Sequence, residues 1–104
     1  MTQTPPKFSL GQVVATPGAL EAVPQDRLME CLHRHAAGEW GNTTGDDARA
    51  NDEAVKTGDR ILSAWAIDPA RPAMGRKANF WIITEAMDDD GVRAATTVLL
   101  PDEY

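Results

Sequence analysis

Arg60-Ile-Leu-Ser-Ala-Trp-Ala-Ile67, Asn79-Phe-Trp-Ile-Ile-Thr-Glu85 and Ala94-Ala-Thr-Thr-Val-Leu-Leu100 decide the fold. Each run is short, rich in β-branched or aromatic residues, and bounded by Pro, Gly or Asp clusters. That is the pattern of consecutive strands in an antiparallel meander. Alternation sorts their side chains. Ile61, Ser63, Trp65 and Ile67 point one way, and Leu62, Ala64 and Ala66 the other. Phe80, Ile82 and Thr84 oppose Trp81, Ile83 and Glu85, and Ala95, Thr97 and Leu99 oppose Thr96, Val98 and Leu100. Both faces carry apolar groups, so one side packs helices and the other is only partly open. Two connections join the runs: a long one over residues 68–78 and an acidic one around Asp88-Asp89-Asp90-Gly91.

Upstream, the chain reads as helical. Residues 1–7 hold two prolines and form a flexible arm, and residues 8–104 form a single domain. Phe8 to Thr16 is a short strand or extended segment. Thr16-Pro17 starts a short helix that Pro24 ends. A second helix, from about Gln25 to Ala37, carries Leu28, Leu32 and Ala36 on one stripe, with His35 on its border. Trp40 reads as a lid on the core and is counted among the partner-binding candidates below. A third helix, Asp46 to Thr57, has the thin apolar stripe Ala50, Ala54 and Val55, so it lies at the surface. The predicted class is α+β: an N-terminal short strand and two to three helices packed on a C-terminal three- to four-stranded antiparallel meander.

With 104 residues, 42% hydrophobic and 25% charged, the chain is a single globular domain. No apolar run is long enough to span a bilayer, and a signal-peptide segment is missing. The single Cys31 excludes an internal disulfide and fits a reducing compartment. A cytoplasmic protein without membrane contact is expected. The net charge of −6 disfavours direct nucleic-acid binding, because the ten Lys and Arg are scattered, the densest group being Arg71, Arg76 and Lys77. It suits a basic partner surface instead.

No catalytic or cofactor motif stands out, so no cofactor is expected. His33 and His35 are two apart and diverge, which is not the spacing that chelates a metal on a helix. The aspartate run lacks the alternating spacing and distal Glu of a calcium loop. Two constellations remain. His35 with Glu39 one turn later offers a general acid or base, or else a structural His satisfied by a backbone carbonyl or by Glu39. Arg60, Ser63, Thr84, Glu85, Thr96 and Thr97 place a cation, a carboxylate and hydroxyls on the sheet. If His35 faced them, His35, Arg60, Glu85 and Thr97 would form a small ribonuclease site of RelE or EndoU-like type.

Several segments together resemble a known family. Phe8-x-Leu-Gly-Gln-Val-Val-Ala-Thr-Pro-Gly-Ala-Leu20, Arg34-His35-x-x-Gly-Glu-Trp-Gly41, Arg60-Ile-Leu-Ser-Ala-Trp65, Trp81-Ile-Ile-Thr-Glu-Ala86 and Thr96-Thr-Val-Leu-Leu-Pro-Asp-Glu-Tyr104 are similar to small proteins borne on plasmids and integrative elements. These are often called plasmid-related proteins and are sometimes labelled type I restriction subunits. Residues 68–78 and 87–93 are longer here than in typical members, and Trp65 stands where Tyr is common. The resemblance implies a mobile-element setting without supplying an activity. Two functions follow as expectations. The first is a non-enzymatic accessory protein that binds another protein, such as a host defence complex, as an anti-CRISPR or anti-restriction inhibitor. Its contacts would come from Asp88, Asp89, Asp90, Arg76, Lys77 and Trp40. The second is the ribonuclease, with His35 as its acid or base.

Overall fold

The three apolar runs form strands, and the N-terminal segment adds a fourth. The computed structural model describes residues 5–71 and 78–104. The elements are β1 (Gln12–Ala15), α1 (Pro17–Ala22), α2 (Gln25–Ala36), α3 (Gly45–Thr57), β2 (Ile61–Ala66), β3 (Asn79–Thr84) and β4 (Ala95–Leu99), then a 3-10 turn over Pro101–Glu103. Helices and strands together make an α+β fold whose sheet runs β1-β4-β3-β2.

The meander β2–β3–β4 is antiparallel, with Ser63 opposite Ile82 and Thr84 opposite Thr96. The sheet as a whole is mixed, because β1 pairs in parallel with β4, Gln12 beside Ala95 and Ala15 beside Val98. Thr16 explains the direction. It caps α1 by accepting the N–H of Ala19, and its hydroxyl donates to the Glu103 carboxylate at 2.6 Å. Chain leaving β1 and chain leaving β4 are thereby tied at the same end of the sheet. That hydrogen bond also holds the Glu103 carboxyl below the usual range. The described end of the arm is engaged too: the Lys7 N–H donates to the Ala36 carbonyl at 2.7 Å.

One face of the sheet takes the helices. The stripe of α2 is Leu28, Cys31, Leu32, His35 and Ala36, all buried at helical spacing. With Ala19 and Val23 of the α1 region it packs on Trp65, Phe80, Ile82 and Val98. A smaller cluster joins Phe8, Trp40, Ala54 and Ile61. Burial of this kind contributes roughly 1.5–3 kcal/mol per large apolar side chain.

The β2 edge is sealed. The Asn51 side-chain amide, projecting from α3, donates to the Leu62 carbonyl at 2.7 Å and accepts the Leu62 N–H at 3.3 Å. The Thr43 hydroxyl accepts the Ala64 N–H, the Asn42 N–H donates to the Ala64 carbonyl, and Arg27 Nε donates to the Ala66 carbonyl. Gly41 makes this approach possible. Its φ is +59°, and a Cβ there would lie 2.4 Å from the Ala64 carbonyl oxygen.

Candidate functional site

His35 is fully buried between the two apolar clusters, with Phe8 and Trp40 edge-on to its ring at 5.4 and 5.7 Å. Helix α2 delivers it because position 35 continues the 28-31-32 stripe. The sheet meets it with hydroxyls because Ser63, Thr84 and Thr96 share the inward face. Nδ1 lies 2.6 Å from Ser63 Oγ, and Nε2 lies 2.9 Å from Thr84 Oγ1.

With the buried imidazole neutral, donor arithmetic orders the protons in this network. Thr96 Oγ1 donates to the Leu10 carbonyl, which can only accept. At 2.8 Å from it, Thr84 Oγ1 must therefore donate to Thr96, and so it accepts from His35 Nε2–H. At the other end Trp65 Nε1–H donates to Ser63 Oγ, leaving the Ser63 hydroxyl proton for Nδ1. The chain is Trp65, Ser63, His35, Thr84, Thr96, Leu10, each group donating to the next, and His35 is the neutral Nε2–H tautomer. Burial pushes its pKa down to about 3, and the Arg93 cation adds to the effect.

Arg93 is buried as well, and it carries a charge. Its Nη1 donates to the carbonyls of Asp59 and Glu85, and its Nη2 to that of Ala54. The guanidinium carbon sits 5.5 Å from the Phe8 ring, a cation–π contact. This side chain pins the α3–β2 junction to the β3–β4 connection. Sequence reasoning missed it, because an Arg just past an acidic turn carries no periodic signal of burial.

The four ribonuclease candidates are not brought together. His35 is on the helix side of the sheet. Thr97 lies on the opposite face, and Arg60 and Glu85 flank Ile61 and Thr84 with that same outward parity. Arg60 donates to the Tyr104 hydroxyl at 2.8 Å, while Glu39 pairs with Arg34 at 3.1 Å and does not reach His35. His35 is satisfied by hydroxyls and has no exposed surface through which to meet a phosphodiester.

The partner-binding candidates divide. Trp40 is 7% exposed with its indole N–H on Asp52, so it is core and offers no partner surface. Flanked by Gly38 and Gly41, it folds inward onto Phe8 and His35. Asp88 shapes its turn by accepting the N–H groups of Asp90 and Val92. Asp88, Asp89 and Asp90 are all exposed, and Arg76 and Lys77 lie outside the described residues.

The outer face is partly covered: Ile83 and Leu99 are buried there, and the 3-10 turn over Pro101–Glu103 lies against β3. Trp81 stands half-buried there with Tyr104 edge-on at 5.5 Å, and the Arg60 guanidinium is 5.7 Å from the Tyr104 ring. Beside them opens a cleft of about 530 Å³ whose lining includes Thr43, Asp47, Arg60, Leu62 and Trp81. Among the described residues, no group of three His, Cys, Asp or Glu could hold a metal, and no helix is long and apolar enough to cross a membrane. No protein-family model, curated protein or solved structure matches the chain.

Proposed function

We propose that the protein works without chemistry of its own, by binding another protein through the outer face of its sheet. The observation that carries this is the cluster of Trp81, Tyr104 and Arg60 beside a cleft on the outer face of the sheet. Trp, Tyr and Arg are the residue types that most often dominate binding energy at protein interfaces. The closed state of His35 supports the same reading, because the best acid–base candidate is unavailable to a substrate. Likeness to plasmid-related proteins supports a mobile-element setting, and the acidic charge of −6 favours a basic partner surface. The reading is an accessory inhibitor of host defence, directed at a CRISPR or restriction complex. Asp89 and Asp90 would contribute steering charge from the β3–β4 connection.

The test is co-purification with CRISPR and restriction complexes, comparing the natural chain with a Trp81→Ala, Arg60→Glu double variant. One stoichiometric complex is expected, with affinity at least tenfold weaker in the variant at a temperature where circular dichroism shows it still folded. Binding that ignores both substitutions would refute the outer-face assignment. RNA cleavage that disappears with His35→Ala would restore the ribonuclease.

A further inference from the structure

The two edges of the sheet are treated unlike. On the sealed β2 edge the backbone groups of Leu62 and Ala64 and the Ala66 carbonyl all have partners. Among the described residues the β1 edge has no such cover. Gln12 N–H donates to the Ala94 carbonyl and Thr16 N–H to the Val98 carbonyl, so even-numbered residues of β1 bond towards β4. The two-residue repeat of a parallel ladder then turns the N–H and C=O of Val13 and Ala15 outward. Among the described residues nothing hydrogen-bonds to them. Val13 and Val14 are 45% and 41% exposed.

We infer that this edge pairs with the β1 edge of a second copy of the chain, antiparallel, about a two-fold axis through Val14. The register follows from the strand's limits. Pairing Val13 with Ala15 of the second copy, and Ala15 with its Val13, uses all eight outward backbone groups in four hydrogen bonds. Centring on Val13 would bring in Gly11, whose φ of +64° takes it out of the strand. Centring on Ala15 would bring in Pro17, which has no N–H. Only the Val14-centred register satisfies every group, and it lies on a symmetry axis, as an isologous contact requires. At that centre the two Val14 side chains meet as a non-hydrogen-bonded pair, with Cα atoms about 4.5 Å apart.

Charge supports a second copy over a basic or acidic peptide. No charged residue lies between Phe8 and Leu20, although a quarter of the chain is charged. The Lys, Pro or inward-pointing charge that commonly protects an edge strand is missing from Gln12–Ala15. The net charge of −6 on each copy repels only at long range, and salt screens it. Association should therefore strengthen with ionic strength, opposite to an ion-paired interface. The contact is small, so the dimer should form in roughly the micromolar to millimolar range. This inference is independent of the outer-face reading, since Trp81, Arg60 and Tyr104 take no part in it.

The experiment is sedimentation equilibrium of the full chain over that range at low and high salt, with two variants. A reversible dimer favoured by salt is expected. Val14→Lys, which sets two cations face to face on an exposed position, should weaken it at least tenfold without lowering the melting temperature. Val14→Cys should oxidise to a disulfide-linked dimer, because about 4.5 Å falls within the Cα spacing of disulfides, while Val92→Cys, 54% exposed elsewhere, should not. A natural chain that stays monomeric up to about 1 mM would overturn the inference. So would a dimer indifferent to Val14→Lys, or a Val14→Cys variant that cross-links no faster than Val92→Cys.

Discussion

Lowering the pH from 7 to 5 should destabilise this protein through one side chain, His35. In the unfolded chain its imidazole titrates near 6.5, whereas burial among Phe8, Trp40 and the strand hydroxyls holds the folded value at about 3. The unfolded state therefore binds a proton that the folded state refuses throughout that interval. Stability is unaffected above 6.5, falls as pH drops through the window, and levels off below about 3. At 1.36 kcal/mol per pH unit, the loss is about 2 kcal/mol at pH 5 and about 3 kcal/mol at pH 4. Most carboxylates titrate below pH 5, so the first loss belongs to the imidazole. Urea unfolding followed by tryptophan fluorescence at pH 7, 6 and 5 measures it, with constant m values as the check on two-state behaviour. His35→Leu should lose about 2–4 kcal/mol at pH 7, because the Ser63 and Thr84 hydroxyls lose their partner, yet show little slope down to pH 5. A natural chain whose stability is flat from pH 7 to 5 would refute the buried neutral ring. An equal slope in His35→Leu would assign the effect elsewhere.

Three further outcomes can be checked. Thr84→Val keeps the shape but removes the acceptor of His35 Nε2–H and the donor to Thr96; denaturant titration should show a loss of about 2 kcal/mol. Arg93→Met strips hydrogen bonds from the carbonyls of Ala54, Asp59 and Glu85, and should destabilise by about 3 kcal/mol or more, again read from denaturant midpoints. Cys31 is buried, and burial pushes its thiol up to about 11, so at pH 8 a thiol reagent should label it only at the rate of unfolding; rapid labelling of the native protein would contradict this.

What the sequence disclosed was whatever local periodicity encodes. Alternation in the three apolar runs marked the strands and the facing of Ser63 and Trp65 against Leu62 and Ala64. The 28-32-36 spacing marked the buried stripe of α2, though it passed over Cys31. Pairing between distant segments was illegible: the four residues of β1 do not state that their partner lies some eighty residues on, running in the same direction. The hydroxyls around His35 were visible as strand residues. Their closure into a directed chain depends on the Leu10 carbonyl, a backbone group with no sequence signature. Trp40, read as a lid on the core, is buried there, which removes it as a contact for a partner, whereas Asp88 stays exposed while its carboxylate accepts backbone N–H groups.

Asparagine is a poor helix former, and Asn51 sits in the middle of α3. In the language of polymer chemistry it sets the valence of the domain. A sheet open at both edges is a bifunctional monomer, able to add copies indefinitely, as amyloid strands do. Through Asn51 the helix lends β2 a counterfeit strand of two hydrogen bonds, and Thr43, Asn42 and Arg27 complete it. The domain becomes monofunctional, so any growth through β1 terminates at two.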